Sequence, residues 1–198
     1  MRREWVQAVL LAALCAVLFL GKSLLPGHVL VPFPPEFFDV QSEQAAAAGT
    51  LDLAEVGRGN VSMGDKYGQS FTWDRVLQDN LREGRIPLWN REIGGGVPFV
   101  PQMAQPYQPW NLLLLLLPSE QWYGWTIFGQ LVLMGTFAYG FVRRLGCRHA
   151  SSLLAIVAAT IGIWTQSKLH HNVMLTAAMS MFPMLSAVHD IEIGRAHV

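Results

Sequence analysis

Few residues of this chain combine a reactive type with a spacing that lets them act together. Gly94-Gly95-Gly96 is the one run that could cradle a phosphate. No Lys-Ser/Thr follows it and no strand signal precedes it, so a flexible or tightly turning loop is expected there rather than a nucleotide-binding P-loop. His170 and His171 are adjacent, and neighbouring side chains on a helix diverge by about 100°, which makes them a poor metal pair. Together with Lys168 they form a basic cluster suited either to a phosphate or to anchoring at a membrane interface. Asp65 follows Gly64 in Met63-Gly64-Asp65-Lys66-Tyr67-Gly68-Gln69, a position where residue type alone suggests a turn or cap. Met174, Met179, Met181 and Met184 sit in uninterrupted apolar context, which marks them as packing or lipid-facing residues rather than metal ligands.

The elements that must position these side chains follow from where charge is missing. Of 198 residues, 52% are hydrophobic and only 14% charged, with 14 Lys+Arg against 14 Asp+Glu and no net charge. Globular domains carry roughly a quarter charged residues, so the deficit points to lipid. A chain without a basic surplus is not built for nucleic acid, and its apolar content excludes disorder. Ten of the 14 acidic residues lie between Glu36 and Glu92. Residues 5–21, 121–142, 149–167 and 169–189 carry no Asp, Glu, Lys or Arg, and each approaches the length of a membrane span. At about 1.5 Å per residue the second covers about 33 Å. The expected fold class is therefore an all-α polytopic membrane protein with about four transmembrane helices: the first in residues 1–25, a long loop over 26–120, and the other three in 121–192.

Arg2 and Arg3 precede the first span, and Arg143, Arg144 and Arg148 separate the second from the third. The positive-inside rule then puts the N-terminus in the cytoplasm and the long loop outside. A cleaved signal peptide is the alternative for the first span, but Gly21-Lys22-Ser23 is a poor small-x-small site, and a retained anchor is the better reading. Small residues Ser151, Ala155 and Ala159, with Ala158 and Gly162 beside them, suggest a helix-packing seam in the third span. Pro183 should kink the fourth.

Within the loop, Trp73, Val76, Leu77 and Leu81 recur at helical spacing, which predicts a helix over residues 70–83 capped by Ser70 and stopped by Gly84. Asp74, Arg75, Asp79 and Arg82 are expected on its solvated face. Residues 112–117 are apolar but too short to span, and read as re-entrant or interfacial, with Trp110, Trp122, Tyr123 and Trp125 at headgroup level. The final residues 193–198 resemble one reading frame of a sequencing-library adapter, which predicts that the natural reading frame departs near Glu192.

The ordered motifs Gly64-Asp65, Gly84-Arg85-Ile86-Pro87-Leu88-Trp89-Asn90, Gly96-Val97-Pro98 and Gln105-Pro106-Tyr107-Gln108-Pro109, then Arg143-Arg144-Leu145-Gly146 and His170-His171-Asn172, resemble the YfhO family of bacterial membrane proteins. That family is similar to the polytopic GT-C glycosyltransferases and has much longer chains, so the resemblance implies an N-terminal portion of a GT-C-like fold in the bacterial cytoplasmic membrane. It implies transfer of a sugar from a polyprenyl-phosphate donor to a cell-envelope acceptor. Asp65 is the position matching the family's loop carboxylate, which acts as general base or helps hold a metal, so a divalent cation is the one cofactor admitted and Asp65 its one ligand candidate. Lys66, Tyr67, Gln69, Trp89 and Asn90 are weaker candidates for substrate contacts, and Lys168, His170 and His171 for the phosphate. The lipid bilayer is a partner; oligomeric state stays open. A transporter or flippase of lipid-linked precursors and a non-catalytic envelope assembly protein are the competing functions, the former disfavoured by spans free of Asp, Glu, Lys and Arg.

Overall fold

The computed structural model describes residues 2–31, 44, 47–50, 71–91, 94–99 and 116–196. In chain order its elements are α1 (Arg2–Leu20), a 3-10 turn (Gly21–Leu24), α2 (Thr72–Arg82), β1 (Trp89–Asn90), β2 (Val97–Pro98), α3 (Ser119–Arg144), α4 (His149–Ile161), α5 (Ile163–Ser167) and α6 (Asn172–Ala196). Two compact units emerge, one from Met1–His28 with Tyr123–Val198 and one from Val29–Trp122. Three helical stretches among the described residues are long and apolar enough to cross a membrane: Arg2–Leu24, Gln121–Arg144 and His149–Ser167. The fourth apolar run does form a helix, α6, but Asn172, Pro183, His189 and Asp190 dilute its apolar character and it is not among the three.

In the first unit the helices alternate in direction. The centre of the packing is a contact of α1 with α4, closed by α3: Ala8 and Ala12 of α1, Tyr139 of α3 and Ile156 of α4 form a buried cluster. The small-residue seam runs along α1, whose Ala8, Ala12 and Ala16 lie four apart and are fully buried. On α4 the buried stripe is Ser152, Ile156 and Thr160, displaced by one position from the expected Ser151, Ala155 and Ala159. Gly135 of α3 completes the close approach, because a Cβ there would lie 2.8 Å from Thr160 Cγ2, 3.0 Å from Ile156 Cγ2 and 3.1 Å from Ala12 Cβ.

The third apolar run is not one helix. Gly162 takes an extended conformation (φ −62°, ψ 154°) between α4 and α5, and a Cβ there would collide with the Ala158 carbonyl oxygen. A break in hydrocarbon leaves carbonyls without partners, at several kcal/mol each, unless side chains replace the lost bonds. Here Thr165 Oγ1 donates to the Ala159 carbonyl at 2.7 Å and Gln166 Nε2 to the Ile161 carbonyl at 2.8 Å.

The chain leaves α3 through a Schellman motif. Gly146 (φ +84°) donates its N–H to the Arg143 carbonyl at 3.1 Å, and Cys147 donates to the Val142 carbonyl at 3.3 Å. The second unit repeats the device after α2, where Gly84 (φ +72°) bonds Leu81 and Arg85 bonds Asn80, both at 2.9 Å. The α2 apolar face is as the spacing predicts, with Trp73 and Leu77 buried, but Asp74 is buried too, at 3% exposure. Only Arg75, Asp79 and Arg82 of the expected solvated face are exposed. Beside Asp74 on the next turn, Gln78 donates to the Leu117 carbonyl at 2.7 Å. The glycine-rich run also has more order than its composition suggests: Trp89–Asn90 pairs antiparallel with Val97–Pro98 around Gly94, Gly95 and Gly96, all at positive φ. Of the aromatic residues expected at headgroup level, Trp125 is partly exposed, Trp122 and Tyr123 are buried, and Trp110 lies outside the described residues.

Candidate functional site

Asp65, Lys66, Tyr67 and Gln69 lie outside the described residues. Trp89 and Asn90 belong to the second unit; Lys168, His170 and His171 belong to the first. On β1 the two neighbours part company, Trp89 being 53% exposed and Asn90 fully buried.

The turn between α5 and α6 brings the three basic residues together. Lys168 ends α5, its N–H reaching the Trp164 carbonyl at 3.1 Å. His171 closes the turn with an N–H to the Lys168 carbonyl at 2.9 Å, and its own carbonyl accepts the first N–H groups of α6, from Met174 and Leu175. All three side chains are half-buried. No acidic group among the described residues pairs with Lys168 or His171.

Beneath this turn runs a polar seam that the sequence reading did not single out. Tyr123, Thr126 and Gln130 stand at i, i+3 and i+7 on α3, share one face, and are each at most 2% exposed. The Tyr123 hydroxyl donates to the Leu169 carbonyl, inside the basic turn, at 3.0 Å. Gln130 Nε2 donates to Thr176 Oγ1 on α6 at 3.1 Å. The Thr126 hydroxyl lies between them in sequence and has no hydrogen-bond partner among the described residues. Polar residues repeating at helical spacing in an otherwise apolar run were the available signal.

The opposite end of the unit holds charges in pairs. Arg143 Nη2 of α3 meets Glu4 of α1 at 3.2 Å, and its Nη1 donates to the Cys147 carbonyl at 2.9 Å. Arg144 pairs with Asp190 of α6 at 3.4 Å. The Tyr139 hydroxyl and His149 Nδ1 hydrogen-bond at 2.9 Å, joining α3 to α4. Trp5 packs edge-on against Tyr139, in the space Gly140 leaves open. A cleft of about 370 Å³ beside these pairs is lined by Trp5, Phe137, Arg144, Pro183, Ser186 and Asp190 among others.

Chemically, the turn at 168–171 offers the Lys168 ammonium and two imidazoles, and the seam offers neutral donors. Among the described residues no three His, Cys, Asp or Glu side chains converge as a metal site would need, and Asp65 lies outside them. Set against known protein families, curated proteins and solved structures, the chain matches none.

Proposed function

We propose that the protein is a multi-pass membrane glycosyltransferase of the YfhO type in the bacterial cytoplasmic membrane. In this reading it moves a sugar from a polyprenyl-phosphate donor to a cell-envelope acceptor, with the N-terminus and the Arg143–Arg148 turn in the cytoplasm and the loop at 26–120 outside. The observation that carries the reading is the ordered set of loop motifs, from Gly64-Asp65 to Gln105-Pro106-Tyr107-Gln108-Pro109. Three helical stretches apolar enough to span are compatible with it, and α6 is the fourth span of the proposal. Asp65 takes the acceptor's proton as that oxygen attacks the sugar, and the donor phosphate departs with inversion in a single displacement. Lys168, a cation, and His171, an imidazole able to hydrogen-bond, which face no acidic partner among the described residues, are the groups offered to that phosphate.

Asp65→Asn in the protein expressed in its own host membrane tests the role of the base. Loss of envelope glycosylation at unchanged protein level is the expected result; full glycosylation would remove Asp65 from the chemistry.

One observation favours a transporter instead: the break at Gly162 resembles the interrupted helices that bind cargo in transporters. Those helices offer free backbone groups to the cargo. In this chain Thr165 and Gln166 consume the Ala159 and Ile161 carbonyls, which leaves the break a structural joint. Transport of a lipid-linked precursor by vesicles containing the Asp65→Asn variant would reverse that preference.

A further inference from the structure

The chain entering the β1–β2 hairpin exposes apolar side chains. Pro87 and Asn90 are buried, whereas Ile86, Leu88 and Trp89 are 54%, 64% and 53% exposed. Phe99, itself fully buried, donates its N–H to the Leu88 carbonyl at 2.9 Å and so pins the strand from inside. Trp89 stands opposite the exposed Pro98 in the ladder. Its indole lies so close over Gly96 (φ +113°) that any Cβ there would collide with it, so the outward pose of the ring is built into the turn.

Arg82, Arg85 and Arg91 flank this stretch in sequence, and all three are exposed. Arg85 pairs with Glu83, but no acidic group among the described residues pairs with Arg82 or Arg91. An indole with aliphatic neighbours, flanked by guanidinium groups that no acidic group among the described residues takes up, is the composition of a segment that rests at lipid headgroup level: rings and aliphatic carbons at the acyl boundary, cations on phosphates. The chain supplies the bilayer itself, because stretches apolar enough to span precede and follow this unit in sequence and tether the hairpin at high local concentration.

We infer that the edge formed by Ile86, Leu88 and Trp89 docks on an anionic lipid surface, with Arg82 and Arg91 on the lipid phosphates. The docking does not require Asp65.

The test uses the full chain with Cys15→Ala and Cys147→Ser, carrying Leu88→Cys or, separately, Ile86→Cys, each labelled with an environment-sensitive dye. Asp79→Cys, on the exposed side of α2, serves as reference in the same unit, so random orientation in vesicles cancels in the ratio. In phosphatidylcholine vesicles containing phosphatidylglycerol, the dye at 86 or 88 is expected to be quenched several-fold less by acrylamide than the dye at 79. Headgroup-proximal nitroxide lipid should quench it several-fold more. Arg82→Gln with Arg91→Gln, or omission of phosphatidylglycerol, should reduce both contrasts. Equal acrylamide quenching at 79, 86 and 88 would overturn the proposal. So would protection from acrylamide without nitroxide quenching, which would point to a protein or sugar on the hairpin instead. Contrasts indifferent to both arginines and lipid charge would overturn the anionic docking.

Discussion

The two ends of the first unit are held by different chemistry. At one end Glu4, Arg143, Arg144 and Asp190 meet in ion pairs that join α1, α3 and α6, and Tyr139 with His149 adds α4. At the other, neutral groups do the joining: Tyr123 to the Leu169 carbonyl, Gln130 to Thr176, Thr165 and Gln166 across the Gly162 break. The basic side chains of that second end, Lys168 and His171, stand outside the joining and pair with no acidic group among the described residues. That contrast separates frame from function. Charges consumed in linking helices are part of the frame. Basic side chains that the frame does not use are available to a ligand, and they sit on a turn held in place by hydrogen bonds that carry no charge of their own.

Breaking the shared middle should produce the largest effect, because both ends depend on it. Gly135→Leu would drive a side chain into Thr160, Ile156 and Ala12, whose atoms already lie within 3.1 Å of a bare Cβ. Overpacking of this kind costs about 1–3 kcal/mol or more. Unfolding in mixed detergent micelles should show that loss, and with it the disappearance of both ends' contacts; wild-type stability would mean that α1, α3 and α4 do not share a close-packed centre. Next in size is Tyr123→Phe, which removes the donor to the Leu169 carbonyl and should cost about 1–2 kcal/mol. Its more telling readout is local: amide exchange in residues 168–171 should accelerate while the Arg143 end stays protected. Uniform acceleration would say that the two ends are not separately built.

The local devices of the fold were legible before the fold was known. Gly84 marks the end of α2, because the motif needs only a glycine in the left-handed region; Gly146 ends α3 by the same device, though in the sequence it stands only as part of a family motif. What depended on tertiary partners was not legible. The stripe on α4 is shifted by one residue, since the small partner is α1, and Ala8, Ala12 and Ala16 set which α4 side chains can approach. Gly162 fits a small-residue seam by type, yet it is the break, and only its dihedrals and the return bonds from Thr165 and Gln166 reveal that. Asp74 belongs by periodicity to the polar face of α2 but is buried, as an edge position can be when another segment covers it. Of the site, the basic turn at 168–171 is described, and the seam beneath it is an addition. Asp65 lies outside the described residues, so its role rests on motif order.

The smallest stability effects give the sharpest form of the comparison. Glu4→Gln removes the charge from a pair whose side chains are each 33% exposed. At such exposure an ion pair is worth roughly 0.5 kcal/mol, with at most 1 kcal/mol lost. Lys168→Gln, which breaks no pair among the described residues, should change stability by less than about 0.5 kcal/mol. Function should rank the two the other way. If Lys168 serves an anionic group, its replacement lowers activity in the envelope-glycosylation assay at full protein level, whereas Glu4→Gln leaves activity in proportion to the protein that folds. Measuring activity per folded molecule separates the cases, since that ratio is unchanged by a purely structural loss. A Lys168→Gln variant with unchanged activity per folded molecule would make the basic turn an interfacial anchor, and the contrast between paired and unused charge would then describe how the helices are held in the membrane rather than what they bind.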